Sequence, residues 1–333
     1  MNSRITVVIP NYNGGPFLRH LFESLQQQTL KHFKCLFVDD GSTDDSVAIA
    51  REYQAVLSGL EIQTYPNGGI GENWNRGMAQ ADTEFFTLLH CDDACEPGYL
   101  AAMLALMDAY PTAAIGHCAA LTMDQSATPI ESLIEDYKRA LYLPAPAFCR
   151  SLAEEYACLL AGDYINCPTV IYRTAAVRTI GLFNVRFKQV LDWEYWFRCL
   201  LAGYEICGSN QPLYWHRRHG NNATLRNSQM FDRYLEELQV LEWAFERGAA
   251  QGLVEGSPSM AVVRNIVIYD IAVALRQGDR QGAKAKAGFL ADQVLASKTV
   301  LAGLQLLIRW GAVGGWALAQ GIASYVRVRT WFG

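Results

Sequence analysis

Apolar and polar positions alternate in blocks along the first part of the chain. The run ITVVI, starting at Ile5, is continuous and predicts a strand buried on both faces. In the following PFLRHLFESLQQQ, Leu18, Leu21, Phe22 and Leu25 recur at helical spacing, and Pro16 suits the opening turn. The apolar run CLFVDD and an amphipathic stretch from Asp44 to Leu57 repeat the order, giving βαβα. Further short runs at EIQTY, EFFTLLH and AAIGHCA predict strands, with a helix over Tyr99 to Ala109 between the last two. Strands alternating with helices place the chain in the α/β class, with a Rossmann-like, mainly parallel sheet covered by helices.

Beyond Arg226 the strand signals stop. Phe231, Leu235, Leu238, Leu241 and Phe245 form one helical stripe, and Val262 to Leu275 another, with Ser257-Pro258 marking a turn between them. The expected organisation is an α/β domain over 1–226 and a helical C-terminal region over 227–333. The pattern contains no internal repeat and no low-complexity tract.

Composition narrows the function classes. A chain of 333 residues, 51% hydrophobic and 18% charged, is long enough for two domains and too apolar for disorder. Its net charge of -5, without a Lys/Arg run, argues against a nucleic-acid partner. MNSRITVVIP is too short for a signal peptide and has no cleavage site, so a cytoplasmic protein is expected. The nine cysteines form no CxxC pair and sit mostly in apolar stretches, which fits buried thiols in a reducing compartment. His90, Cys91 and Cys95 have no second ligand pair to complete a zinc site.

The candidate chemistry gathers where strands end, the edge at which such sheets bind ligands. In VDDGSTDDS, Asp39 and Asp40 end an apolar run and Ser42 or Thr43 follows as a cap; the carboxylates suit either a ribose or base edge, or a solvated turn. In LLHCDDACEPGYL, adjacent Asp92 and Asp93 follow a buried run, and two such carboxylates repel unless a cation compensates, which points to Mg2+ or Mn2+. Asp192 opens QVLDWEYWFRCLLAGY, where an acid is either a helix cap or a general base. LYWHRRHGNNAT reads as a Gly/Asn-rich loop whose Arg217 and Arg218 suit phosphate and whose His219 suits a metal.

These segments, in this order, resemble the family 2 glycosyltransferases. The resemblance runs from VVIPNYNGGPFLRHLFESLQQQT and CLFVDDGSTDDS through NGGIGENWNRGMAQADTEFFTLLHCDDACEPGYL to YINCPTVIYRTAAVRTIGLFN, VLDWEYWFRCLLAGY and YWHRRHGNNAT, roughly the first two-thirds of the chain. It implies a GT-A-type fold and an inverting transfer of sugar from a nucleoside-diphosphate sugar to an acceptor hydroxyl, in cell-surface polysaccharide or glycolipid synthesis. It also implies that Pro10, Tyr12, Asp39 and Asp40 line the nucleotide pocket and that Asn75 and Arg76 lie along nucleotide and diphosphate. Asp92 and Asp93 carry over as the acidic pair, Asp93 as the direct ligand of Mn2+ or Mg2+, and Asp192 as the catalytic base; His219, read from its own loop, is either a further metal ligand or a solvated loop residue. His90 stands where the family often has an acid, which predicts a weaker metal site, and Leu191 replaces an acid before the base.

Two other classes compete. A sugar-phosphate nucleotidyltransferase needs a glycine-rich loop with a nearby Lys, which PNYNGG lacks, and a silent sugar-binding domain has no use for Asp40, Asp92, Asp93 and Asp192 together. The tail from Thr299, apolar and aromatic but broken by Arg309 and glycines and ending in Arg327 and Arg329, suits either peripheral contact with the inner membrane face or a packed helical pair. The former would bring the enzyme to a lipid-linked rather than a soluble glycan acceptor.

Overall fold

The computed structural model of the chain describes residues 3–57, 59–220, 231–256, 259–294 and 298–321. The chain divides into two compact units, Met1–Leu159 with Asp163–His219, and Leu160–Gly162 with Gly220–Gly333. The expected boundary at Arg226, the Ser257-Pro258 turn and Arg327 and Arg329 lie outside the described residues.

The first unit is built on one sheet. Its strands are β1 (Ile5–Asn11), β2 (Lys34–Asp39), β3 (Leu60–Thr64), β4 (Phe85–Leu88), β5 (Ala94–Cys95), β6 (Ala113–Met123), β7 (Pro129–Ile130), β8 (Phe148–Cys149), β9 (Ile171–Arg173) and β10 (Glu205–Arg217). They lie in the order β3-β2-β1-β4-β9-β6-β10-β5, with β7 on β6 and β8 on β10. β1 to β4 pair in parallel; β9 runs antiparallel to both β4 and β6, so β6 and its parallel partner β10 point the same way as β1. The carboxyl ends of these strands therefore share one edge.

Helices α1 (Gly15–Gln26), α2 (Ser46–Gln54), α3 (Ile70–Gln80), α4 (Tyr99–Ala109), α5 (Leu133–Tyr142), α6 (Leu152–Ala161), α7 (Thr174–Ile180) and α8 (Leu191–Leu201) complete the first unit's elements. Ile5, Val7 and Ile9 of β1 share a core with Leu18, Leu21 and Phe22 of α1, Ile49 of α2 and Met103 of α4. On the opposite side Phe86 stacks on Tyr172 at 4.8 Å, and Phe183, Tyr195 and Trp196 surround Tyr172. The GT-A-type α/β fold is thus present, and its parallel pairings are the long ones.

Two elements escape the hydrophobic pattern. α3, written IGENWNRGMAQ, has few apolar residues; it seats closely on β1 because Gly77 has no side chain there, and a Cβ at that position would lie 2.3 Å from Val8 Cγ1. The stretch read as the loop LYWHRR is instead the end of β10, in register with β6 up to Arg217 and Met123. Its polar letters mislead because they occupy the site edge, where a strand's side chains meet polar partners.

The second unit contains α9 (Asp232–Ala250), α10 (Ala261–Arg276), α11 (Arg280–Gln293), α12 (Lys298–Trp310) and a further helix at 312–321. The expected α9 stripe is displaced: Tyr234, Glu237, Val240, Leu241 and Ala244 are buried, whereas Leu235 is exposed. The buried face admits polar residues because they are paired, with Tyr234 donating to Asp270 at 2.5 Å and Arg233 to Glu237 at 2.8 Å. Among the described residues no helix is long and apolar enough to cross a membrane.

The close approach of α3 to β1 makes a stability prediction. Gly77→Ala should cost about 1–3 kcal/mol through overpacking against Val8, despite the better helix propensity of Ala. Chemical denaturation of Gly77→Ala, Val8→Ala and the double variant should show the two changes to be less than additive, because shortening Val8 vacates the space that the new methyl enters.

Candidate functional site

One part of the sheet edge is shaped by β1 and β2. Asn11 and Asp39 are register partners, and the Asn11 amide donates to Asp39 at 2.8 Å. The Ser42 backbone N–H and hydroxyl add bonds of 2.9 and 2.5 Å to the same carboxylate. Asp39 is therefore a buried strut that shapes the turn. Gly41, at φ +74°, reverses the chain directly after Asp40, a conformation that a side chain disfavours. Asp40 accepts from the backbone N–H groups of Gly68 and Gly69 at 2.8 and 2.9 Å and from Arg76 at 2.7 Å.

Arg76 also lies over the Tyr65 ring, 4.9 Å from its centroid, so its charge is held beside Asp40. Asn75 joins both ends of its amide to the backbone of Phe183 and acts as a staple between α3 and the segment before α8. Pro10 is buried within β1, and Tyr12 immediately beyond it is 53% exposed, offering a ring at the same edge.

The acidic loop follows β4. His90, Asp92 and Asp93 each turn a ligand atom toward a common point, and these atoms lie within 4.8 Å of one another. Asp93 is fully buried; its carboxylate accepts from the Tyr214 hydroxyl at 3.0 Å and from the Arg217 backbone N–H at 2.7 Å. Burial, followed by the charge of Asp92, raises its proton affinity well above that of an ordinary carboxyl. Burial also works to raise Asp92, but the His219 hydrogen bond and the surrounding imidazoles outweigh it and leave Asp92 more acidic than usual.

His90 packs on Trp74 with centroids 5.2 Å apart, and its Nε2 is buried without a hydrogen-bond partner. Burial lowers its basicity, which keeps the imidazole neutral and its lone pair available. Two carboxylates and one neutral imidazole suit a divalent cation that accepts mixed oxygen and nitrogen donors. His90 thus belongs to the acid cluster, where the sequence pattern had suggested only a missing acid. Cys95 lies in the apolar core, away from such a role.

β10 supplies the far wall through its antiparallel pairing with β5, Tyr214 opposite Cys95 and Trp215 opposite Ala94. Arg217, only 2% exposed, does not reach out as a phosphate ligand; it donates to the Asp92 carbonyl at 2.6 Å and to the carbonyls of Gln125 and Asp124 at 3.1 and 3.3 Å. His219 approaches Asp92, its Nε2 being 2.9 Å from Oδ2, so it stands as the neighbour that orients Asp92. Tyr214 and His216 were missed by the sequence reading. Their alternation within LYWHR was the available signal, and burial, helped by the Arg218 charge, pushes the His216 imidazole down to about 3, so it too is neutral.

Asp192 lies in the first turn of α8, whose N-cap is Val190, so Asp192 is not the N-cap that the sequence offered as an alternative; its carboxylate accepts from the Trp193 backbone N–H at 2.9 Å. It lies near Cys167, whose thiol is pushed well up by burial first and by the Asp192 charge second.

The family model described as Glycosyl transferase family 2 matches residues 6–146, the segment that carries both acidic motifs. Over that segment the chain is similar to the family 2 glycosyltransferases. It is 29% identical over 225 residues to the putative glycosyltransferase EpsH of Bacillus subtilis, covering 67% of this chain and 63% of that protein. Two further relatives are each covered over 58% of their length, so the chain spans under two-thirds of these proteins. Among solved structures, it resembles residues 1–349 of TarS from S. aureus in complex with UDP-GlcNAc, with a TM-score of 0.56 at 17% identity over 98% of this chain and 92% of the other. The mannosyltransferase PcManGT from Pyrobaculum calidifontis, in complex with GDP-Man and Mn2+, gives 0.55 at 15% identity over 99% and 88%. These likenesses establish the shared GT-A fold.

The geometry separates the roles of the acidic loop and its neighbour. Asp93→Asn should abolish Mn2+ binding measured by calorimetry, since it removes a buried charge at the cluster. His219→Ala should weaken that binding by roughly 10- to 100-fold, the usual effect of losing a group that orients a ligand. Equal loss in both variants would make His219 a direct ligand.

Proposed function

We propose that this protein transfers a sugar from a nucleoside-diphosphate donor to an acceptor hydroxyl, with inversion at the sugar C1. The observation that carries this reading is the His90–Asp92–Asp93 cluster, half-buried except for the fully buried Asp93, on the same sheet edge as Asp40. An edge with a cation site beside a base-and-ribose pocket fits a nucleotide diphosphate whose leaving charge must be neutralised. The structural neighbours bound to UDP-GlcNAc and to GDP-Man with Mn2+ support the donor class.

In this reading Tyr12 lies against the base, Pro10 and Asp40 shape its pocket, and Asp39 fixes the turn that presents Asp40. Arg76 and Asn75 set the wall along nucleotide and diphosphate. His90, Asp92 and Asp93 would hold Mn2+ or Mg2+, which when bound supplies positive charge to the departing diphosphate. Mn2+ is favoured because an imidazole accompanies the carboxylates. Asp192 removes the proton from the acceptor hydroxyl as that oxygen attacks C1, so base and leaving group act at opposite ends of one displacement.

The acceptor in this proposal is a glycan, lipid-linked and reached at the inner membrane face. Support comes from the second unit, where Trp310 and Trp316 are 55% and 61% exposed and Leu306 and Val313 are exposed beside them in sequence. Residues 298–333 include Lys298, Arg309, Arg327 and Arg329 but no acid, in a chain of net charge -5. Aromatic side chains with cations and no acids suit an anionic lipid surface.

Three measurements test these parts separately. Asp192→Asn should keep metal and nucleotide affinity while lowering turnover by roughly 10²- to 10⁴-fold, and the wild-type product should have inverted configuration. A merely structural role for Asp192 in the first turn of α8 would leave turnover almost unchanged, because Asn can also accept from the Trp193 backbone N–H. A thermal-shift panel of UDP, GDP and other nucleoside diphosphates, with and without Mn2+, should single out one base. Wild-type protein should sediment with anionic vesicles at low salt, and Trp310→Ser with Trp316→Ser should release it; protein that stays in the supernatant rejects the membrane reading.

A further inference from the structure

A closed ring of contacts surrounds Asp92 and includes two side chains outside the expected site. The Arg217 guanidinium lies over the Phe17 ring, 5.1 Å from its centroid. The Phe17 ring packs against the His219 imidazole with centroids 4.6 Å apart and planes 30° apart. His219 Nε2 is 2.9 Å from Asp92 Oδ2, and the Asp92 carbonyl accepts from Arg217 Nε at 2.6 Å, which returns to the start. A carboxylate only accepts, so His219 Nε2 carries the proton and donates.

The ring has an outer anchor. Arg217 Nη2 lies 2.6 Å from His20 Nδ1, one turn of α1 beyond Phe17, and since guanidinium only donates, that nitrogen accepts. The carbonyls of Asp124 and Gln125 take the other end of the fork. α1 is itself fixed in the main core by Leu18, Leu21, Phe22 and Leu25. The helix that follows the nucleotide-side strand β1 thus reaches the acidic loop through Phe17 and His20.

We propose that Phe17 and Arg217 are positioning residues for the Asp92 carboxylate. Arg217 fixes the Asp92 backbone directly, and Phe17 fixes its side chain through the plane of the His219 ring. Neither touches the donor or the cation. The two act together: removing the Phe17 ring leaves the His219 plane unsupported and uncovers one face of the Arg217 guanidinium. This inference rests on the reading of Asp92 as part of the transfer site, but the positioning itself is a property of the metal-free protein.

The test uses the full-length protein with 15N-labelled histidine, the His219 signals being assigned from the His219→Gln variant. In metal-free protein, Phe17→Leu should move both His219 ring-nitrogen resonances, as its hydrogen bond to Asp92 is lost, while Phe17→Tyr should leave them in place. Calorimetry with Mn2+ should show affinity about tenfold weaker in Phe17→Leu and restored in Phe17→Tyr. Circular dichroism melting should show both variants folded; if Phe17→Leu melts early, the comparison moves to Phe17→Met, which keeps an apolar contact without the ring and predicts the same shifts. Unchanged His219 resonances and Mn2+ affinity in a folded Phe17→Leu or Phe17→Met overturn the proposal. Displaced resonances and weakened Mn2+ binding uphold it even if the wild type transfers no sugar, an outcome that would reject the transfer reading alone.

Discussion

Burying the Asp93 carboxylate is the constraint around which the site is built. A charge taken out of water costs several kcal/mol unless donors or a counter-charge answer it. Here the Tyr214 hydroxyl and the Arg217 backbone N–H answer it, and both come from β10. They reach it only because β10 turns its last residues alongside β5, the short strand that follows the acidic loop. The loop depends on the strand end: without β10 the buried acid loses the Tyr214 hydroxyl and the Arg217 backbone N–H that answer it.

Two bonds do not cancel that cost, and the residual shows in the raised proton affinity of Asp93 beside the acidic Asp92. In the proposed reading a divalent cation at this cluster would supply the counter-charge that the two donors do not. The neutral state of His90 works in the same direction. Its burial disfavours the protonated form, which would repel a cation, and leaves an unpartnered nitrogen in the cluster.

The sheet's framework was readable in the sequence because its elements obey one period each. ITVVI, broken only by Thr6, and CLFV, which ends at Asp39, are near-continuous apolar runs since both strands are internal and covered on both sides, and α1 and α4 bury residues at helical spacing. The acidic loop and the Asp39–Asp40 turn were readable for a related reason, since charges directly after buried strands have few purely structural explanations. Legibility failed where tertiary pairing overrides local pattern. The end of β10 looks like a loop because its partners are an acid and several carbonyls distant in sequence, and α9 buries Glu237 because Arg233 lies one turn earlier. The individual roles were harder still: nothing local distinguishes Asp39, whose oxygens are occupied by Asn11 and Ser42, from Asp40, which faces the Gly68–Gly69 strap.

That last contrast shows how neighbouring carboxylates divide their work. In both acidic pairs one member is turned inward and held by donors within the sheet edge, as Asp39 by Asn11 and Ser42 and Asp93 by Tyr214 and Arg217. The other member contacts groups from outside its own strand or turn, Asp40 a glycine pair and an arginine of α3, Asp92 a histidine just past the end of β10. Asp39 and Asp40 are both buried, whereas Asp92 and Asp93 sit in the turn between β4 and β5, so burial alone does not separate the members of a pair; their donors do. Adjacent residues share a rigid peptide plane, so fixing one acid limits where its neighbour can go. An acidic doublet at or just beyond the end of a parallel strand is then held from two sides at once, and each acid's partners constrain the orientation of the other.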